Sequence, residues 1–321
     1  MFQIQRVEAQ QEERSAVTSE GQNDRRITAS IGICAYNEEQ NIGHLLMSIQ
    51  NQVLHKLEIV QIVVVSSACC DGTEDIVRHF QDGDQRIHLI TEAKRRGKAA
   101  AVNLFLRASR GDICILVSAD TRLTETSCES LSSVFFDPIV GMAGGRPIPV
   151  NDQTTLMGFV SRLIWDMNHE LSLIEPRLGE YIAFRNIVDF IPEDTAVDEA
   201  AIEAAIRKKG YSLRYVPEAI VYNKGPETVA DFVKQRRRIY VGHLHLMKTS
   251  NYRVASLNCL RLLKLIPRCT SLSFKSIAWT FVSIILEIYA RAAGSFDFFI
   301  RRKNPFIWEM ISSTKSTKGR D

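Results

Sequence analysis

The chain has 321 residues, 45% of them hydrophobic and 24% charged. That balance belongs to a globular protein and excludes a disordered, collagen-like or fibrous chain. Lys plus Arg is 40 against 37 Asp plus Glu, a net +3, too even for bulk nucleic-acid binding, which calls for a strongly basic face.

Residues 1–26 are polar and charged, with no apolar h-region. They read as a flexible arm rather than a signal peptide. Regular structure is predicted from Ile27, with a first strand over Ala29–Ala35 that ends in Tyr36-Asn37-Glu38-Glu39. Ile42, Leu45, Leu46 and Ile49 recur at helical spacing and predict a helix. The β-branched run Ile59–Val65 predicts a strand covered on both faces, ending at Ser66-Ser67. A helix from Thr73 to Phe80 follows, then a strand at Ile87–Ile90, the basic loop Lys94-Arg95-Arg96-Gly97-Lys98, and a helix through Arg107. A fourth strand over Ile113–Val117 ends at Ser118-Ala119-Asp120. Strand–helix alternation with short connections implies right-handed βαβ units and a parallel sheet. Gly141 to Ala219 mixes short elements and gives no clear pattern, and a further helix is predicted over Thr228–Met247. The seven cysteines are odd in number and contain no C-x-x-C pair, which fits a reduced, cytosolic setting.

Ligands of such sheets bind at the carboxyl ends of the strands, so the polar residues there are the candidates for chemistry. Arg95, Arg96 and Lys98 around Gly97 place fixed positive charge beside a helix N-terminus, which suits a diphosphate. Asp120 is suited to a hard cation. Singly, each has an ordinary reading: Asp71 as a turn or cap, the basic loop as solvated surface. Their shared position at successive strand ends favours a site.

In this order the residues resemble the family 2 glycosyltransferases, nucleotide-diphospho-sugar enzymes with the GT-A fold, over roughly Ile27 to His245. Ala35-Tyr36-Asn37-Glu38 matches the end of the family's first strand, and Ser66 to Thr73, with Asp71, follows the second in spacing. Gly97, Lys98, Ala99, Ala101 and Asn103 match a Gly-Lys-Ala-x-Ala-x-Asn element, and Ser118-Ala119-Asp120 falls on the Asp-x-Asp motif. Val197-Asp198-Glu199-Ala200-Ala201-Ile202 resembles the segment that carries the catalytic base, and Gln235-Arg236-Arg237-Arg238-Ile239 resembles Gln-x-x-Arg-Trp.

The resemblance implies an α/β GT-A fold with a Rossmann-like, mostly parallel sheet flanked by helices. The implied organisation is an arm at 1–26, a catalytic domain at 27–250 and C-terminal apolar helices at 251–321. It implies donor contacts from Ala35, Tyr36, Asn37, Glu38, Ser66, Ser67, Asp71, Gly97, Lys98, Ser118, Ala119, Asp120, Gln235 and Arg238. It also implies a divalent cation, Mg²⁺ or Mn²⁺, on Asp120. The base falls on Glu199, with Asp198 its alternative, since only one of two adjacent side chains readily faces a cleft. One base and no covalent nucleophile imply inversion at the anomeric carbon. Departures are plain: Ser66-Ser67 stand where the family has two Asp, Ser118 replaces the first Asp of Asp-x-Asp, and Ile239 replaces the Trp. With that Trp and a set of membrane spans missing, a non-processive enzyme is expected.

Phe274 to Ala290 is apolar apart from Lys275 and Glu287, with Arg291 and Arg301-Arg302-Lys303 beyond. The run looks slightly short for a span. Its aromatics and flanking cations suit a helix lying on an anionic membrane, with packing onto the catalytic domain or a second subunit as the alternative. The expectation is therefore a cytoplasmic enzyme, peripheral at the inner face of the membrane, acting on a nucleotide-diphospho-sugar and a lipid-linked or saccharide acceptor, and not on nucleic acid. Two other classes are weighed: a sugar-phosphate nucleotidylyltransferase, which needs a Gly-rich loop that Gly32 alone does not make, and a sugar-nucleotide-binding pseudoenzyme, suggested by Ser66, Ser67 and Ser118.

Overall fold

The computed structural model describes residues 25–255 and 259–307. All but the last two residues of the expected arm at 1–26 lie outside the described residues. The chain alternates through β1 (Ile27–Ala35), α1 (Ile42–Gln50), β2 (Leu57–Ser67), α2 (Thr73–Gly83), β3 (Ile87–Glu92), α3 (Lys98–Ala108) and β4 (Ile113–Ser118). It continues through β5 (Arg122–Leu123), α4 (Ser127–Ser132), β6 (Val140–Pro149), α5 (Leu156–Ile174), β7 (Tyr181–Arg185), α6 (Asp198–Lys208) and β8 (Ser212–Asn223). Three helices close it: α7 (Val229–Ser250), α8 (Cys259–Cys269) and α9 (Phe274–Phe299).

One eight-stranded sheet runs in the order β3-β2-β1-β4-β7-β6-β8-β5. The first four strands are parallel, as the alternation predicts. Beyond β4 the sheet is mixed: β7 pairs antiparallel with both β4 and β6, β6 and β8 are parallel, and β5 is antiparallel to β8.

Side chains alternate faces along a strand, and the core divides accordingly. Ile31 and Ile33 of β1, Ile62 and Val64 of β2, and Ile113, Ile115 and Val117 of β4 pack on one side with Ile42, Leu45, Leu46 and Ile49 of α1. Val63, Val65, Cys114 and Leu116 face the other side, against Phe105 of α3 and Ile202 and Ile206 of α6. Gly32 keeps that second layer close: a Cβ there would lie 2.6 Å from the Phe105 ring. Buried Asn103 on α3 exchanges two 2.9 Å hydrogen bonds with the backbone of Ile191. The Asn of the glycine–lysine element therefore anchors the loop that leads to Asp198 and Glu199.

The C-terminal helices are joined to this body. Val254, just past α7, belongs to the second core layer, and Arg236 of α7 meets Glu287 of α9 through two 2.8 Å hydrogen bonds. Arg237 pairs with Asp297. The helix α9 spans 26 residues, longer than the run read from the sequence, because Arg291 and Asp297 are accommodated by ion pairs to Glu287 and Arg237.

Candidate functional site

The loops after β1 and β2 are stapled to each other. Asn37 adopts a left-handed φ of 53°, a conformation its short side chain tolerates. Its side-chain Oδ1 accepts from Cys70 N at 2.9 Å, and Glu38 N donates to Thr73 Oγ1 at 2.7 Å. Asp71 accepts from Glu39 N and Thr73 N, both at 3.1 Å, and from the Thr73 hydroxyl at 2.5 Å. Burial opposes its ionisation, but these donors win and hold its carboxyl below the usual range. Ser66 donates to Glu74 at 2.7 Å and Ser67 to Glu92. Thus Asn37, Ser66 and Asp71 spend their polar atoms within the loops and do not line the cleft. Ala35, Tyr36, Glu38 and Ser67 do line it.

The cleft lies over these strand ends and encloses about 310 Å³. The Arg95 guanidinium sits 3.7 Å from the Tyr36 ring centroid, while Arg96 turns to Glu92 at 3.0 Å. Gly97, with φ 107°, swings the chain into α3. A Cβ at Gly97 would approach the Phe306 carbonyl at 3.1 Å, so the chain after α9 passes over this loop, and Asn304 donates to the Asp194 carbonyl at 2.8 Å.

Lys98 opens α3, and its ammonium lies 2.7 Å from Glu199 and 3.0 Å from Asp198. The two carboxylates start α6, where the helix dipole favours negative charge. Glu199 lines the cleft; Asp198 does not and is only 1% exposed. Its contact with Lys98 is electrostatic, since neither Asp198 oxygen receives a well-aligned hydrogen bond. Burial and the Glu199 charge push Asp198 up to about 6, against the pull of Lys98. Glu199 moves the other way: burial opposes ionisation, but Lys98 holds its carboxyl below the ordinary range. Of the two adjacent acids, the one facing the cleft is thus the more acidic, and the buried one holds its proton more tightly.

Ser118, Ala119 and Asp120 line the cleft from the end of β4. Val117 stands opposite Tyr181 in the antiparallel β4–β7 pair, which places Glu180 beside Ser118, whose N–H reaches the Glu180 carbonyl at 3.4 Å. Glu180 has a left-handed φ of 62°, a conformation that costs a non-glycine residue about 1–3 kcal/mol and is held only by its surroundings. It lines the cleft with Asp120. Burial first, then the charges of Asp120 and Glu199, push its carboxyl up to about 7. Two carboxylates and a hydroxyl converging on one corner form an all-oxygen donor set that fits a hard divalent cation. Among the described residues no group of three or more His, Cys, Asp or Glu could hold a metal, so a cation here would draw its remaining ligands from the bound substrate.

On α7, Gln235 and Arg238 share a face, as their spacing predicts, and both line the cleft. Burial lowers Arg238 to about 10, while Glu199, Asp198 and Glu180 hold it charged and Arg95 opposes them. Sequence reasoning missed Glu180, Arg177, Asn168 and His169, all of which line the cleft, and read Tyr215, which lines it too, only as part of the segment Tyr215–Ala219 that supports the family resemblance. His169 Nδ1 and the Tyr215 hydroxyl lie 2.8 Å apart. The missed residues come from the stretch without a readable pattern, and nothing in their spacing marks them.

The family model for glycosyl transferase family 2 matches residues 30–204, more than half of the chain. The poly-beta-1,6-N-acetyl-D-glucosamine synthase of Staphylococcus aureus (strain COL) is 23% identical over 219 residues, covering 64% of this chain and 52% of that protein. An N-acetylglucosaminyltransferase of Bradyrhizobium diazoefficiens is 25% identical over 258 residues, covering 73% of this chain and 53% of its own length. The chain therefore spans about half the length of these relatives. Among solved structures, the mannosyltransferase PcManGT from Pyrobaculum calidifontis, in complex with GDP-Man and Mn²⁺, superposes with a TM-score of 0.61 at 21% identity. That match covers 87% of this chain and 88% of the other, and it shows the fold. The chain belongs to glycosyl transferase family 2 and has the GT-A fold.

Proposed function

We propose that the protein transfers a sugar from a nucleoside-diphosphate donor to a saccharide or lipid-linked acceptor, with inversion and without processive elongation. The observation that carries this is the placement of Glu199, ionised and facing the cleft, in the same cavity as Asp120, Glu180 and Arg238. Asp120, with Glu180 beside it, would hold Mg²⁺ or Mn²⁺, which when bound neutralises charge on the departing diphosphate. Arg238 and Gln235 would bind the diphosphate from α7, and Arg95, stacked on Tyr36, would add fixed charge at the cleft rim. Glu199 would take the proton of the acceptor hydroxyl as it attacks the anomeric carbon, and Lys98 keeps that carboxylate ionised until then. Once the proton arrives on Glu199, Lys98 still faces Asp198, so the ammonium is never left without a counter-charge.

We further propose that α9 lies on the membrane surface. Phe274, Ile277, Phe281, Ile285 and Ile288 are exposed at helical spacing, while the opposite face carries Glu287 and Asp297 to α7. A helix held to the body by partly buried ion pairs on one side has one apolar face left for lipid, which supports a peripheral position on a membrane, on this reading its cytoplasmic face.

The test is a panel of labelled nucleotide sugars incubated with the full-length protein and Mg²⁺ or Mn²⁺, with and without a chelator. Cation-dependent transfer, or slow donor hydrolysis, is the expected result. Pyrophosphate exchange would instead mark a nucleotidylyltransferase, and binding without turnover a pseudoenzyme.

A further inference from the structure

The cleft does not end at Glu199. Glu203 lies four residues further on α6, one turn and about 6 Å along the axis, and lines the same cavity. Facing it are Asn168 and Ser172 of α5, His243 of α7, and Arg177 from the connection between α5 and β7. Arg177 is fixed in place: the Ser172 hydroxyl donates to its carbonyl at 3.1 Å and accepts from its N–H at 3.4 Å. Its guanidinium donates one hydrogen bond, to the side-chain Oδ1 of Asn168 at 2.5 Å.

Among the described residues Arg177 forms no ion pair, and its side chain has no other hydrogen bond. Its neighbours are already matched. Arg236 and Arg291 share Glu287, each at 2.8 Å, and Glu203 accepts from Tyr252. The chamber therefore carries surplus positive charge. His243 registers it: burial first, then Arg177, Arg236 and Arg291, push its imidazole down to about 3. The carboxylates of Glu203 and Glu287 act on Arg177 only at a distance, and an enclosed guanidinium whose only hydrogen-bond partner among the described residues is a neutral amide is costly. Most of its planar N–H donors remain to be filled, and their fork matches the geometry of a carboxylate or phosphate.

We infer that Arg177 is the binding residue of an acceptor subsite for an oxyanion, a phosphate or carboxylate carried by the acceptor and seated on the Glu203 side of the cleft, beyond the candidate base. The inference rests on the transferase reading and narrows it to an anionic acceptor. The anion seated on Arg177 fixes which acceptor hydroxyl meets Glu199, so the subsite selects both the acceptor and its linkage position.

The test titrates inorganic phosphate, and separately acetate, into the full-length protein at constant ionic strength by calorimetry. Arg238 and Arg95 offer phosphate a second place to bind, so the titration is repeated in Arg238→Gln, which weakens that component, and the Arg177 component is the one lost in the Arg177 variant. Arg177→Gln should weaken that component about 10- to 100-fold, the loss expected for a charge-assisted hydrogen bond. Asn168→Asp guards against a variant that fails to fold: it sets a carboxylate 2.5 Å from the guanidinium, should raise the melting temperature, and should abolish the same component. Tighter phosphate than acetate assigns a phosphate-bearing acceptor, and the reverse a carboxylate. Phosphate and acetate binding unchanged in Asn168→Asp overturns the proposal. Nucleotide-sugar binding in Arg177→Gln and Asn168→Asp, both with Arg238 intact, should stay within about twofold of wild type. Its absence from the wild type overturns the transferase reading instead.

Discussion

Removing the Lys98 ammonium isolates the electrostatics of the candidate base. In Lys98→Met the stem remains and the charge goes, leaving two adjacent carboxylates that Lys98 met at 2.7 and 3.0 Å. Asp198 is 1% exposed, so water cannot replace the lost partner. Breaking a buried ion pair by deleting one member costs about 3–5 kcal/mol, and in a domain of this size that lowers the melting temperature by on the order of 10 °C. The deficit should depend on pH. Asp198 already titrates near 6 with Lys98 present; without it the folded-state value rises further, while the unfolded value stays near 4. A raised carboxyl stabilises the fold below the unfolded value and loses that stability as pH rises through the folded one. Lys98→Met should therefore melt close to wild type at pH 5 and far below it at pH 8. Adding Asp198→Asn should recover most of the loss, a coupling that a double-mutant cycle measures directly. Thermal melts of the four proteins at both pH values decide it. If Lys98→Met melts within about 2 °C of wild type at pH 8, the charge balance drawn for the base is wrong.

Other outcomes follow from the same geometry. Glu199→Gln should lower transfer about 10²–10⁴-fold while nucleotide-sugar affinity stays near wild type; an equal loss of affinity would make Glu199 a donor contact. Burial holds Glu203 up at about 7, against its hydrogen bond from Tyr252, so folded-state stability should fall by about 2–3 kcal/mol as pH rises from 5 to 8. Glu203→Gln should remove that part of the slope, which melts across the range will read. Phe281 and Ile288 are 64% and 61% exposed, and Phe281→Glu with Ile288→Glu should abolish sedimentation with anionic liposomes that the wild type shows. A wild type that ignores such liposomes contradicts the membrane face assigned to α9.

The first half of the fold is legible because its signals are local. The β-branched run of β2 and the Ile42, Leu45, Leu46, Ile49 spacing of α1 each declare period and burial without reference to the rest of the chain. The elements between Gly141 and Ala219 hide because they serve the cleft. The helix α5 presents Ser161, Asn168 and His169 to the cavity, which breaks the apolar stripe that would mark it. Glu180 belongs to the site only because β7 runs antiparallel to β4 and sets it beside Ser118, a pairing between residues more than sixty positions apart. Side-chain direction was equally out of reach. Lys98, read from sequence as a diphosphate contact, reaches the Asp198–Glu199 pair, and Asp71 closes a turn, because α3 and α6 meet only in the folded sheet. The resemblance to the family favours Glu199 over Asp198, and in the fold Glu199 is the one that lines the cleft while Asp198 turns inward.

The central claim is direct displacement at the anomeric carbon with Glu199 as base. Proton NMR of the transferred sugar, recorded as the reaction proceeds from an α-linked nucleotide-sugar donor, reads it most directly. A β-configured product is expected from the earliest time points, lost in Glu199→Gln. An α-configured product, or one formed at an undiminished rate by Glu199→Gln, would contradict it.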